Sequence, residues 1–187
     1  VFCDSAPLQV TQFEPDIRIV EQLTDVFLEG GGGGNSFESY DLPWYFAGQR
    51  TSIDSFEKRG KKGYLFTIGD ELPPPNGLTS ERIKMVFGND DQCDYNATEL
   101  LAMAEEKYNV FHIIVEQGNY ARRDLKNVQG KWRELLGGRA ILLSNYNYIS
   151  EIIIAVMEVS EGADPQVVID SFQDAVIKEV VRHALLD

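Results

Sequence analysis

The segment GYLFTIGDE, residues 63–71, carries the clearest strand pattern in the sequence. From Tyr64 to Ile68 the residues are aromatic or β-branched apart from one leucine, and residues typical of turns lie on both sides. Because the apolar residues are almost continuous, the pattern predicts a strand that is covered on both faces, as in a parallel sheet. Gly69, Asp70 and Glu71 then follow at the carboxyl end of this strand.

Two later segments, residues 110–116 and 140–144, are predicted to be buried strands of the same kind. Between them, the sequence ARRDLKNVQGKWRELLGG predicts an amphipathic helix that stops at a double glycine. Alternating strands and helices require crossover connections, so the sequence predicts an α/β fold of Rossmann-like type. Its sheet is doubly wound, mostly parallel and flanked by helices. We expect residues 1–187 to form a single domain that is incomplete at its N-terminus.

The remaining helices are predicted from apolar spacing and from capping residues. A first helix is expected over residues 15–29 and a second over 38–58, whose buried face is predicted to consist of Leu42, Tyr45, Phe46, Ile53 and Phe56. The aromatic residues 44–46 are expected in the core or under the glycine loop. A third is expected to stop at Gly88, and Asn96 begins a fourth with a capping-box pattern. Two terminal helices are predicted after the last strand. In the first helix, apolar residues recur at helical spacing, namely Ile17, Val20, Leu23 and Phe27.

Five consecutive glycines, Gly30–Gly34, follow the first predicted helix. A phosphate-binding loop places its glycines after a strand and before a helix, and the chain has no Gly-Lys-Ser/Thr sequence, so a phosphate site is disfavoured. In an open parallel sheet, ligands bind at the carboxyl ends of strands, which is where Asp70 lies. We expect the glycine loop to reach the same edge and to bring Asn35 and Ser36 there. Their oxygens, with those of Asp70, would suit a hard cation such as Mg²⁺.

The charge balance excludes some classes of partner. The chain has 30 acidic and 17 basic residues, for a net charge of −13, and such a surface repels nucleic acids and anionic membranes. Its apolar runs are too short to cross a bilayer. Cys3 and Cys93 have neither metal-type spacing nor the pattern of a disulfide framework, so a cytoplasmic location is expected. His112 and His183 have no catalytic partner at a recognisable spacing and are predicted to be structural.

The sequence EGGGGGNSFESYDLPWYFA, followed by GYLFTIGDE, resembles the middle of a von Willebrand factor type A domain of a bacterial or phage branch. The resemblance covers residues 1–116. In that family a glycine-rich loop, a strand ending in Asp and an Asp-x-Ser-x-Ser motif form a metal-ion-dependent adhesion site. The resemblance implies that Asp70, Asn35 and Ser36 hold Mg²⁺ and that a carboxylate of a protein partner completes its shell. It also implies a partner such as an ATPase or a larger complex.

The chain departs from the family pattern in two respects. No Asp-x-Ser-x-Ser occurs, and Asn35, or Ser36 if the loop shifts by one residue, stands where the family has Thr. Two alternatives therefore stay open: a module of the same fold that has lost its metal, and a doubly wound hydrolase or nucleotide-binding enzyme with Asp70 and Glu71 as acid and base. A role without catalysis is favoured. If Asp70 binds metal, Asp70→Ala is expected to abolish metal-dependent partner binding and to leave the fold intact.

Overall fold

The structure is a computed structural model that describes residues 8–28, 38–88 and 92–186. The chain forms two compact units: a helical unit, Val1–Lys61 with Pro73–Lys107, and a sheet unit, Lys62–Leu72 with Tyr108–Asp187. The helices and strands are α1 (Arg18–Thr24), α2 (Asp41–Arg50), α3 (Asp54–Glu57), β1 (Gly63–Gly69), α4 (Ser80–Phe87), α5 (Ala97–Glu105), β2 (Tyr108–Val115), α6 (Ala121–Leu136), β3 (Ala140–Leu143), α7 (Ile149–Ser160), α8 (Pro165–Ser171) and α9 (Ala175–Leu186).

The sheet unit contains a three-stranded parallel sheet in the order β1-β2-β3. Its register places Thr67 of β1 opposite His112 of β2, and His112 opposite Ala140 of β3. The prediction of an α/β fold with a parallel sheet flanked by helices is confirmed at this level, and the arrangement is compatible with a Rossmann-like fold.

Helices cover both faces of this sheet because alternate strand residues point to opposite sides. On one face, Ile113, Ile141 and Leu143 pack in a single apolar cluster with buried residues of α7, α8 and α9. On the other face, α6 packs against β2 and β3, and its Trp132 stacks on His112. Burial on two faces explains why β2 and β3 are apolar almost throughout.

The first strand is less buried than its sequence predicts. Of the seven residues of β1, Thr67 alone is buried, and the side chain of Ile68 is 41% exposed. Among the described strands β1 pairs with β2 only, so it lies at an outer position of the sheet. An outer strand has fewer neighbours than a central one, which accounts for its partial exposure.

The helical unit is built on the packing of α2 against α5. The two helices approach closely at Gly48, where an added Cβ would lie 2.6 Å from Cγ of Met103. The amino group of Lys107 donates to the backbone oxygens of Gly48 (2.8 Å) and Thr51 (2.9 Å), so a cation neutralises the negative end of α2. Trp44 and Tyr45 of α2 are fully buried, which confirms their predicted core positions. The predicted second helix is instead divided into α2 and α3, and Phe56, predicted to be buried, is 36% exposed.

Several predicted helix ends are confirmed by their capping geometry. Gly88 ends α4 in the left-handed conformation, with φ of 68°. The Asn96 side chain accepts from the backbone N–H of Glu99, and the Glu99 side chain accepts from the backbone N–H of Asn96, so the capping box is complete. The predicted last helix instead divides into α8 and α9. Asp174 begins α9 because its carboxylate accepts from the backbone N–H groups of Val176 and Ile177.

The first helix is much shorter than its sequence pattern predicts. α1 has seven residues and none of them is buried. The four apolar residues that define the predicted pattern are half exposed or more, at 78% for Ile17, 50% for Val20, 54% for Leu23 and 55% for Phe27, and Ile17 and Phe27 lie outside α1. Short helices are marginal unless packing supports one face, so the extent of α1 is limited. In the described ranges, no helix has both the length and the apolar character needed to span a bilayer.

Candidate functional site

Asp70 lies directly after β1, at the carboxyl end of the sheet, as the sequence predicts. Its side chain is half-buried, and Oδ2 accepts a hydrogen bond of 2.8 Å from the backbone N–H of Tyr120. Tyr120 immediately precedes α6, so the carboxylate lies at the positive end of that helix. The hydrogen bond therefore fixes one carboxylate oxygen and orients the group at the sheet edge.

Gly118 is part of this site, although sequence reasoning did not identify it. A Cβ added to Gly118 would lie 2.2 Å from Cβ, 2.3 Å from Cγ and 2.4 Å from Oδ2 of Asp70. Its own N–H donates to the carbonyl of Val115 (2.9 Å), which holds the turn after β2 tight against the Asp70 side chain. Glycine is required here by close approach, and no local sequence pattern identifies which residue will be approached.

Glu71, the second acid at the end of β1, is half-buried rather than fully exposed. Its backbone oxygen accepts a hydrogen bond of 2.9 Å from Nε1 of the buried Trp132. The segment after β1 is thus tied to α6 at two successive residues, through Asp70 to Tyr120 and through Glu71 to Trp132. These two hydrogen bonds fix the position of Asp70 relative to α6.

The other two predicted ligands, Asn35 and Ser36, lie outside the described residues, as do the five glycines. Ser39, which follows them, belongs to the helical unit, where its hydroxyl accepts from the Arg82 guanidinium at 2.6 Å. Within the described residues, no three His, Cys, Asp or Glu side chains come together in a group able to hold a metal ion. Asp70 is therefore the one predicted metal ligand whose geometry can be described.

His112 lies beneath this edge in a buried polar cluster with Thr67 and Trp132. It is fully buried, its ring stacks on Trp132 with 3.5 Å between centroids, and its Nδ1 is 2.8 Å from Oγ1 of Thr67. Burial lowers the pKa of the His112 imidazole well below its ordinary value of 6.5, because the charged form would lose its hydration. These contacts fit the structural role predicted for this residue.

We expect His112 to make stability fall at acidic pH. Because the pKa of His112 is lowered in the folded protein, the unfolded chain takes up a proton at a higher pH than the folded protein does. The contribution of His112 to the free energy of unfolding is therefore fully present above pH 6.5 and is lost as the pH falls below that value. His112 should make the free energy of unfolding fall by about 1.4 kcal/mol for each pH unit below this value. Urea unfolding between neutral pH and about pH 5 should show this extra slope in the wild type and not in His112→Phe, whose flat ring can still stack on Trp132. Equal slopes would show that His112 does not titrate in this way.

His183 acquires a partner that the sequence did not suggest. Its Nε2 lies 2.5 Å from Oε1 of Glu116, a residue 67 positions earlier that follows β2. The contact joins α9 to the carboxyl end of β2. Both side chains are mostly buried, at 28% and 20% exposure, so the pair strengthens the attachment of the last helix.

Comparison of the chain with models of protein families, with curated proteins and with solved structures gives no match.

Proposed function

We propose that the chain is an interaction module of the von Willebrand A type, with the doubly wound sheet of that family, and that it binds a protein partner through Mg²⁺ at Asp70. The observation that carries the proposal is the fixed carboxylate at the carboxyl end of β1. Oδ2 is oriented by the Tyr120 N–H, and the side chain is held against the backbone at Gly118. A pre-oriented carboxylate at a sheet edge is a suitable anchor for a hard cation.

A single protein carboxylate, such as that of Asp70, is compatible with Mg²⁺ chemistry. Mg²⁺ keeps several of its waters in proteins and is commonly held by one or two carboxylates, so it does not need a complete cage of acidic side chains. In this proposal Asn35 and Ser36 add neutral oxygens, and the partner supplies the second carboxylate. Asp70, held in position by its hydrogen bond to the Tyr120 N–H, would be a ligand of the cation, and bound Mg²⁺ would supply a positive centre to which a partner carboxylate can bind.

The expected test is the response of thermal stability to Mg²⁺ in two Asp70 variants. A ligand that binds only the folded protein raises stability, by about 2.7 kcal/mol at one hundred times its dissociation constant. Asp70→Asn keeps a carbonyl oxygen for the Tyr120 N–H but removes the charge at the start of α6, so in EDTA it should be less stable than the wild type by only about 0.3–1 kcal/mol. It should lose most of the Mg²⁺ response. A full Mg²⁺ response in Asp70→Asn would rule out Asp70 as a ligand.

Asp70→Ala is expected to behave differently from Asp70→Asn, and the geometry revises the expectation that the alanine variant leaves the fold intact. Alanine removes the acceptor of the part-buried Tyr120 N–H, which costs about 1–3 kcal/mol when the donor is left without a partner. Asp70→Ala should therefore lower the melting temperature even in EDTA. Partner binding should accordingly be measured with the asparagine variant, because loss of binding in the alanine variant can follow from loss of structure.

The same hydrogen bond supports a second candidate, a module of this fold without metal. In that case the Asp70 carboxylate serves only to stabilise the start of α6, through the contact with Tyr120. Wild-type protein would then show no Mg²⁺ response, while Asp70→Ala would still be destabilised. The Mg²⁺ titration of the wild type separates the two candidates.

A further inference from the structure

The N-terminal half of α6 carries an exposed cluster of cations, Arg122, Arg123 and Lys126, which we call the α6 cationic patch. Arg122 and Arg123 lie in the first turn of the helix. The backbone leaves helical geometry at Asp124 (φ −147°, ψ 50°), and Lys126 lies in the first turn after that interruption. The patch holds three of the 17 basic residues of a chain whose net charge is −13.

These cations occupy positions that the helix itself disfavours. The N-terminal end of a helix carries a partial positive charge, so carboxylates stabilise the first turn and cations do not. Within the described part of the chain, no member of the patch forms an ion pair; Arg122 donates instead to the neutral side chain of Asn119 at 3.3 Å. Further along the same helix, Lys131 does pair with Glu134, at 2.8 Å. The same helix end also holds the carboxylates of Asp124 and Asp70, yet none of the three cations forms an ion pair with either of them. Their charges are therefore available to a partner.

A shallow groove continues from the patch along the exposed side of α6. Its floor is open at Gly130, where an added Cβ would meet no atom within 4 Å. Glycine at this helical position costs about 1 kcal/mol of stability relative to alanine, although the fold leaves room for a side chain. The groove has a volume of about 320 Å³ and is lined by Asp124, Lys126, Asn127, Gly130, Lys131 and Glu134. An extended or helical segment of another protein could therefore approach the α6 backbone closely beside Lys126.

From this charge arrangement we propose that the α6 cationic patch binds an acidic segment of a protein partner. Arg122 and Arg123 offer planar donors that match carboxylates, and Lys126 adds a third positive charge next to the groove. Screening limits the field of the distant acidic residues to about 8–10 Å at physiological salt, so the local positive charge decides what binds here. Within the groove, Asp124 and Glu134 balance the charges of Lys126 and Lys131, so the excess positive charge at this end of α6 comes from Arg122 and Arg123.

This inference deepens the proposed function and rests on it for the identity of the partner, because the patch begins two residues after Tyr120, whose N–H binds Asp70. One acidic segment can therefore place a carboxylate at the Asp70 site and others on Arg122 and Arg123. The partner of the module would accordingly be recognised by a run of Asp and Glu residues. The attraction of such a run to the patch itself requires no metal.

The test is the binding of a fluorescein-labelled deca-glutamate peptide, measured by fluorescence anisotropy at low and physiological salt, with deca-glutamine as the uncharged control. The triple variant Arg122→Gln, Arg123→Gln, Lys126→Gln should bind the peptide about tenfold more weakly than the wild type. The matched control neutralises three exposed cations of another turn, Arg59→Gln, Lys61→Gln and Lys62→Gln, and should bind like the wild type. Both triple variants change the net charge equally.

A stability measurement keeps the test specific for binding. Since the patch opposes the helix dipole, its neutralisation should leave the melting temperature unchanged or slightly higher, whereas a structural role would lower it. An equal loss of affinity in both triple variants, no peptide binding by the wild type, or equally tight patch-dependent binding of a single-stranded oligonucleotide would each overturn the inference.

The two proposals can fail separately in this experiment. Peptide binding that depends on the patch, together with a wild type whose thermal stability does not respond to Mg²⁺, would uphold the acidic partner and reject the metal site. Binding that requires Mg²⁺ and Asp70 but not the patch would uphold the metal site and reject this inference. Binding that depends on the patch and also on Mg²⁺ and Asp70 would support one partner segment that contacts the patch and the metal site together.

Discussion

Gly118→Ala should lower the free energy of unfolding by about 3–5 kcal/mol, as the sum of overpacking and a broken hydrogen bond. The new Cβ would lie 2.2–2.4 Å from three atoms of Asp70, among them its Cβ, which cannot move without the backbone. Moving Asp70 away would also remove the acceptor of the Tyr120 N–H. The variant should therefore lose both stability and the orientation of the strand-end carboxylate.

Denaturant unfolding of Gly118→Ala measures the first effect, and the chemical shift of the Tyr120 amide proton reports on the hydrogen bond. Gly130→Ala is the matched control, because Gly130 lies within α6 and its added Cβ would meet no atom within 4 Å. That substitution should stabilise the protein by up to about 1 kcal/mol through helix propensity. Similar behaviour of the two variants would contradict the close approach of Gly118 to Asp70.

The second large effect is expected from Gly77→Ala in the helical unit, at about 3–5 kcal/mol of lost stability. Gly77 has φ of 68°, where a side chain is strained, and its added Cβ would lie 2.1 Å from the backbone oxygen of Tyr95. The neighbouring residue Leu78 exchanges two backbone hydrogen bonds with Tyr95, of 2.8 and 2.9 Å. The collision is thus with backbone that is held on both sides, and a side-chain rotation cannot relieve it.

Gly88→Ala provides the control for Gly77→Ala because the two glycines share the same φ of 68°. Around Gly88 an added Cβ would meet no atom within 4 Å, so only the conformational strain remains, about 1–2 kcal/mol. The difference between the two variants in denaturant unfolding measures the collision alone. Equal losses would mean that the turn at Gly77 can open without cost.

The sequence was informative wherever an interaction is completed within a few residues. The capping box of Asn96 with Glu99 and the glycine stop at Gly88 involve neighbours within one turn of helix, and both are present as predicted. The three strands were also identifiable, since β2 and β3 are apolar on two faces, and Asp70 could be placed at a strand end. Asp174 was missed because a continuous apolar pattern concealed the cap that divides α8 from α9.

What the sequence alone determined is therefore the α/β class, the three strands and their order along the chain, and a carboxylate at the end of β1. Only the tertiary structure decided the surroundings of that carboxylate: Tyr120, 50 residues away, as its donor, and Gly118 as the backbone against which it packs. The tertiary structure also brought Glu116 and His183 within hydrogen-bond distance. Local hydrogen bonds follow from spacing along one element, whereas contacts between distant residues depend on strand register and helix packing, which no single segment specifies.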